Sequence, residues 1–154
     1  MHKKLYFIFG CFLCSFCATE AIAGSETKVQ VAQVRDKWLA AFKSKRVDQA
    51  TAFYASGAAF LQPSGDRIEG IEAIRDLYQK VVSTFDTDLV LRSRNLDASA
   101  SLAYDSGEYE ETLTNRATGQ KQHFRGQYVM IFRISGDADW KIIQHAWTVV
   151  PNPP

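Results

Sequence analysis

Residues 126–151 read GQYVMIFRISGDADWKIIQHAWTVVP, and their pattern predicts two long strands joined by a tight turn at residues 135–137. Side chains alternate between the two faces of a strand, so one face of the last strand is predicted to carry Ile143, His145 and Trp147. The opposite face is then predicted to carry Trp140, Ile142, Gln144 and Ala146. Because both faces are largely apolar, we expect this hairpin to be covered on both sides.

The chain before this hairpin changes from a helical pattern to a strand pattern. Apolar residues recur at helical spacing over about residues 26–42, 47–54 and 71–85, with Arg35 on the polar side of the first stretch. A short strand is predicted at 58–62, and four longer strands at about 88–96, 101–114, 121–134 and 139–150. Helices followed by strands that short turns connect predict an α+β fold with an antiparallel sheet.

The first 23 residues have the features of a secretory signal peptide. A basic start with Lys3 and Lys4 precedes about 14 apolar residues, and residues 21–23 (Ala-Ile-Ala) give the small-x-small pattern of a cleavage site. This apolar run is shorter than a membrane-spanning helix needs, and a retained N-terminal anchor stays as the alternative. We therefore expect a periplasmic or secreted protein with a domain over residues 24–150 and a flexible tail at residues 151–154.

The composition of the predicted mature chain argues against several classes of partner. All three cysteines lie within residues 1–23, so we expect neither a disulfide nor a cysteine-based metal site after cleavage. Without Lys3, Lys4 and Glu20, the 18 basic and 17 acidic residues fall to 16 of each. A net charge of zero, with no long run of one sign, argues against nucleic acid or a membrane as the partner. We assign no metal and no cofactor.

Several short blocks, taken in their order along the chain, resemble the nuclear transport factor 2-like superfamily, which includes SnoaL-like polyketide cyclases and ketosteroid isomerase. The blocks lie at residues 38–42, 53–55, 60–63, 69–74, 126–129 and 140–143, and His145 and Trp147 follow them. This resemblance implies a cone-shaped, curved antiparallel sheet with three N-terminal helices packed on its concave face. It also implies a cavity between helices and sheet, and, by analogy, a homodimer formed through the convex face.

The resemblance also implies which residues line the cavity. The ligand-binding candidates are Trp38, Tyr54, Gln62, Tyr78, Tyr128 and Trp147, and the catalytic candidate is His145. Ketosteroid isomerase uses an Asp base and an oxyanion hole of Tyr and protonated Asp, whereas the matching positions here fall on Gln62, Trp38 and Tyr128. Because Gln62 cannot accept a proton near neutral pH, any proton transfer would rely on His145 together with Gln62 or a carboxylate.

Two assignments stay open at the level of the sequence. Asp105 and Glu111 share the more apolar face of the strand at 101–114, but a slip of one residue would exchange the faces. Either carboxylate then faces the pocket, or both are solvated. His145 is likewise a pocket residue or a core histidine that is hydrogen-bonded to Gln62 or Tyr128.

These patterns predict an exported protein that binds a small hydrophobic or aromatic ligand in an aromatic pocket around His145. One alternative is an isomerase, cyclase or dehydratase that uses His145 for proton transfer in the same pocket. The other is a non-catalytic dimeric interaction module. The predicted outer face of the hairpin would carry an apolar patch that indicates homodimerisation, composed of Val129, Ile131, Trp140, Ile142 and Ala146.

Overall fold

A computed structural model of the chain describes residues 16–136 and 139–150, with side chains from residue 24 onward. Most of the predicted signal peptide therefore lies outside the described residues, as does the predicted flexible tail at 151–154. Only the backbone of residues 16–23 is described, and it forms the beginning of the first helix. Within residues 16–136 and 139–150, no helix combines the length and the apolar character that crossing a membrane requires.

Within the described residues three helices are present, and the first of them begins about ten residues before the predicted start at residue 26. Helix α1 spans Phe16–Lys43, α2 spans Val47–Thr51 and α3 spans Ile71–Thr84. Helix α2 ends earlier than the predicted 47–54 because Tyr54 begins a strand. Buried residues on the two long helices lie three, four or seven positions from Trp38 or from one another, which lets each helix bury one stripe against the sheet. These residues are Val31, Trp38, Ala41 and Phe42 on α1, and Ile74 and Tyr78 on α3.

The strands form a single six-stranded sheet in the order β2-β1-β6-β5-β4-β3. Their bounds are Tyr54–Leu61 (β1), Arg67–Glu69 (β2), Phe85–Ala98 (β3), Leu102–Asn115 (β4), Lys121–Ile134 (β5) and Trp140–Trp147 (β6). The predicted α+β class is confirmed, and β3 to β6 pair as an antiparallel meander. The sheet as a whole is mixed, because β1, outside the predicted meander, pairs parallel to β6.

The last strand contains a β-bulge that the period-two pattern did not anticipate. The register of the β5–β6 ladder shifts at Ile143, which is the extra residue opposite the step from Ile131 to Phe132. A bulge changes which face the following side chains occupy. Trp140 and Ile142 are therefore buried in the same core as His145, and the prediction that they lie on the opposite face is wrong.

Two glycines allow the long strands to approach closely where the sheet curves. A Cβ atom at Gly107 would lie 2.0 Å from the backbone oxygen of Arg92, and one at Gly126 would lie 1.8 Å from that of Thr148. No side chain fits at either position, and glycine within a strand is typical of such bends. Helices α1 and α3 pack against the curved sheet and enclose the core.

Candidate ligand cavity

A cavity of about 290 Å³ lies between α1, α3 and the curved sheet. Seven of the fifteen described residues that line it are aromatic, and six of the others are aliphatic or proline. Only Gln62 and Glu111 bring an amide or a carboxylate to the wall. A mostly apolar wall with a few polar groups is typical of small-molecule sites.

Four of the predicted site residues line this cavity, namely Trp38, Gln62, Tyr78 and Trp147. The other three, Tyr54, Tyr128 and His145, lie behind its wall. Trp38 stacks on Phe42 with ring centroids 5.7 Å apart, and Tyr109 meets the ring of Trp147 edge-on at 4.7 Å. Such ring pairs add to the stability of the wall and fix its shape.

His145 is completely buried behind this wall, and its hydrogen-bond partner is Tyr54. Its Nδ1 atom lies 2.7 Å from the Tyr54 hydroxyl, rather than bonding to Gln62 or Tyr128 as the core alternative proposed. The hydroxyls of Tyr54 and Tyr78 lie 2.6 Å apart, so a continuous chain of hydrogen bonds leads from Tyr78 in the cavity wall to His145. Among the described residues, Nε2 of His145 has no hydrogen-bond partner.

Burial determines the protonation state of Tyr78, Tyr54 and His145, the three side chains of this hydrogen-bonded series. The pKa of His145 falls from its usual 6.5 to about 3, because the core cannot solvate an imidazolium ion. Burial likewise raises the pKa values of Tyr54 and Tyr78 well above the ordinary value for a phenol. At neutral pH all three side chains are therefore uncharged, and the chain can relay a proton only through neutral hydrogen-bonded groups.

Among the described residues of the cavity wall Glu111 is the one carboxylate, and β4 presents it from the face that also carries Tyr109. The hydroxyl of Thr87, on the neighbouring strand β3, donates a hydrogen bond of 2.7 Å to its Oε1 atom. Burial raises the pKa of Glu111, and the hydrogen bond from Thr87 opposes that shift only in part. No Lys, Arg or His among the described residues forms an ion pair with Glu111.

Asp105 faces the same side of the sheet and is completely buried, but it lies away from the cavity. Its Oδ2 atom accepts a hydrogen bond of 2.6 Å from Arg35, and its Oδ1 atom accepts one of 2.5 Å from Ser93. The Tyr128 hydroxyl donates a third, longer bond of 3.4 Å, which holds that ring away from the cavity. The prediction that Arg35 lies on the polar side of α1 is wrong, because its guanidinium ties the helix to this strand.

The structure resolves the open question about β4 and adds residues that the sequence analysis did not place in the pocket. Asp105 and Glu111 both point to the inner face, so the register with Asp105, Gly107, Tyr109 and Glu111 on one side is the observed one. Leu89, Tyr109 and Phe124 also line the cavity. Leu89 and Phe124 lie directly opposite Glu111 on the two neighbouring strands. Their place in the cavity wall could be predicted only once the register of β4 was known.

Within the part of the chain that the structure describes, no three His, Cys, Asp or Glu side chains gather closely enough to hold a metal ion. The polar groups that the described wall offers are one carboxylate, one amide, the indole groups and the tyrosine hydroxyls. These groups can orient a ligand through hydrogen bonds, and the rings can contact its apolar surface.

The family model described as SnoaL-like domain matches residues 36–145, which include most of the cavity wall and the Tyr54–His145 pair. The chain belongs to the SnoaL-like family. The match covers well over half of the chain and extends from α1 into β6. No curated protein sequence matches the chain.

Solved structures with the same fold come from several bacteria. A ketosteroid isomerase-like protein from Erwinia carotovora atroseptica is 20% identical, with a TM-score of 0.73 over 80% of this chain and 96% of its own. A conserved protein from Planctomyces limnophilus is 19% identical, with a TM-score of 0.77 over 83% and 99%. A nuclear transport factor 2-like superfamily protein from Salmonella enterica serovar Typhimurium is 17% identical, with a TM-score of 0.75 over 84% and 95%. At these identities the likeness shows the fold alone.

Proposed function

We propose that this SnoaL-like protein binds a small hydrophobic or aromatic molecule in the cavity between α1, α3 and the sheet. The observation that carries the proposal is a volume of about 290 Å³ walled mainly by aromatic and aliphatic side chains. This volume lies near the lower end of the range of about 300–1,000 Å³ that is usual for ligand sites. A ligand of one or two rings therefore fits better than an extended polycyclic molecule.

The test is a thermal-shift screen of hydrophobic and aromatic metabolites with a variant whose cavity is filled. A ligand that binds only the folded protein raises Tm with increasing concentration. Val81→Trp places a large ring in the cavity, whereas Val29→Trp places the same ring on an exposed part of α1. We expect hits that stabilise the wild type and Val29→Trp and lose their effect on Val81→Trp. Hits that stabilise all three proteins equally would mean that binding occurs elsewhere.

Export and dimerisation belong to the same proposal. The signal-peptide pattern in residues 1–23 supports a periplasmic or secreted location.

Homodimerisation would use the outer face of the sheet, although Trp140 and Ile142 are buried in the core and do not contribute to it. Val129, Ile131 and Ala146 remain from the predicted patch, and Tyr104 adjoins them across β4, β5 and β6. Sedimentation of the purified protein checks this, since Val129→Glu is expected to shift a dimer towards the monomer.

A second candidate function is proton-transfer catalysis, and the hydrogen-bonded chain Tyr78–Tyr54–His145 favours it. Tyr78 touches the cavity, and His145 is a neutral base at the far end of two short hydrogen bonds. Tyr78→Phe removes the hydroxyl at the cavity end and keeps the ring. If the chain is catalytic, this variant should still bind a hit from the screen but convert it at least tenfold more slowly. Absence of any conversion of the hits by the wild type would leave binding as the function.

A further inference from the structure

We propose that the cavity selects a ligand with a positively charged amine or quaternary ammonium group, which pairs with Glu111 while aromatic rings surround it. This inference rests on the proposed function, because it requires that the cavity binds a small molecule. It adds the charge of the ligand, which the shape of the cavity alone does not specify.

The hydrogen bonding of Glu111 is the first argument. Thr87 donates to Oε1, and no other described residue donates to either oxygen of the carboxylate. The described residues that line the cavity include Glu111 and neither lysine nor arginine. A carboxylate that is largely removed from water and lacks a cation is costly to the folded protein. A cationic ligand would supply the missing partner.

The rings around Glu111 are the second argument. Tyr78 reaches the cavity from α3, and Tyr109 lies on the same strand as Glu111. Burial is the main cause of the raised pKa values of both phenols, and the negative charge of Glu111 adds to the shift. The pKa of Tyr109 rises to about 12. The other strands present Leu89 and Phe124 beside Glu111, so Tyr78 and Tyr109 are the titratable groups that face it. The faces of such rings attract organic cations within about 6 Å.

The unpaired carboxylate and the surrounding rings favour a cation over an anionic or a neutral ligand. An anionic ligand would meet an unneutralised carboxylate in an apolar wall and would be repelled. A neutral ligand would gain the apolar contacts but would leave Glu111 without a counter-charge. A ring-bearing amine gains both the apolar contacts and the ion pair. The alternative, in which protonated Glu111 donates a hydrogen bond to a neutral ligand, predicts that the probes below fail while neutral metabolites in the screen give hits.

The test compares quaternary ammonium probes with neutral carbon isosteres, for which protonation of the probe plays no part. The pairs are benzyltrimethylammonium with neopentylbenzene and phenyltrimethylammonium with tert-butylbenzene. Affinities are measured at pH 7 by quenching of tryptophan fluorescence, since Trp38 and Trp147 line the cavity. The variants are Glu111→Gln and Glu110→Gln, which change the net charge equally. Glu110 is exposed on the opposite face of β4, where it pairs with Arg92.

We expect the wild type and Glu110→Gln to bind each cation at least tenfold more tightly than its isostere, and Glu111→Gln to reduce this ratio to less than threefold. Tenfold corresponds to about 1.4 kcal/mol. Isosteres that bind as tightly as the cations would overturn the inference and leave the proposed function standing. Failure of all four probes, together with a metabolite screen that finds no hit, would overturn both. If the four probes do not bind but neutral or anionic metabolites give hits, only the inference is overturned.

Discussion

Asp105 and Glu111 lie six positions apart on the same face of β4, yet their surroundings differ in every respect that matters for a carboxylate. Asp105 is completely buried and accepts hydrogen bonds from Arg35, Ser93 and Tyr128. Glu111 borders a cavity and accepts a single hydrogen bond, from Thr87. Both oxygens of Asp105 have hydrogen-bond donors within the protein, whereas among the described residues Glu111 has a donor at one oxygen only.

This difference indicates different roles for two similar side chains. Arg35 joins α1 to the sheet through Asp105, so that carboxylate holds the fold together. The hydrogen bond of Glu111 reaches only Thr87 on the neighbouring strand β3, and burial destabilises the ionised form of its carboxyl group. Groups with such unfavourable environments occur preferentially at functional sites. The comparison therefore predicts opposite effects when each carboxylate is replaced by its amide.

The largest expected effect is that of Asp105→Asn. The amide leaves the guanidinium of Arg35, whose side chain is 15% exposed, without its buried counter-charge. Removing one partner of a buried ion pair costs about 3–5 kcal/mol, and we expect the lower end here because Arg35 also contacts Asp36. Urea unfolding at pH 7 measures this change. Glu108→Gln is the control on the same strand, because its pair with Arg94 is exposed and should cost less than about 1 kcal/mol.

The next largest effect concerns neither carboxylate but the buried base His145. Because the pKa of His145 is depressed to about 3, the unfolded chain binds a proton between pH 6.5 and pH 3 that the folded chain does not bind. The free energy of unfolding should therefore fall as the pH is lowered, by about 1.4 kcal/mol per pH unit from this group. Urea unfolding of wild type and His145→Gln at pH 7, 6 and 5 should show this contribution only in the wild type. Equal slopes for the two proteins would contradict the burial of a neutral imidazole.

The smallest effect has the opposite sign. Glu111→Gln should raise the free energy of unfolding at pH 7 by about 0.5–2 kcal/mol, the range that single stabilising substitutions commonly give. Burial raises the pKa of Glu111, so the wild type loses stability as the pH rises and the carboxylate ionises. The advantage of the variant should therefore shrink on going from pH 7 to pH 4. An advantage that stays constant with pH would mean that ionisation of Glu111 is not its cause.

Much of the fold followed from the sequence because it depends on periodic patterns. The stripe through Ile74 and Tyr78 and the long alternating strands specify which elements form and which neighbours pair. The pattern could not reveal the bulge at Ile143, because an extra residue in a strand leaves no mark on composition. It could not reveal the parallel pairing of β1 with β6 either, since that contact joins segments about 85 positions apart.

The site was less accessible to sequence reasoning. Trp38, Gln62, Tyr78 and Trp147 were placed in the cavity wall by resemblance to the fold, and the structure puts them there. His145 shares the inner face with them, but whether an inward side chain reaches the cavity depends on what packs in front of it. The rings of Trp38, Phe60 and Trp147, with centroids 4.7–5.3 Å from that of His145, separate it from the cavity. Glu111 stayed undecided because its face depends on register.

The most direct test of this account measures Glu111→Gln and Asp105→Asn side by side, each for urea unfolding and for binding of benzyltrimethylammonium at pH 7. We predict that Glu111→Gln is at least as stable as the wild type and loses its preference for the cation over neopentylbenzene. Asp105→Asn should be destabilised by about 3 kcal/mol and, where it remains folded, should keep that preference. A Glu111→Gln variant that unfolds as readily as Asp105→Asn and still prefers the cation would contradict the account, because Glu111 would then serve the fold and not the ligand.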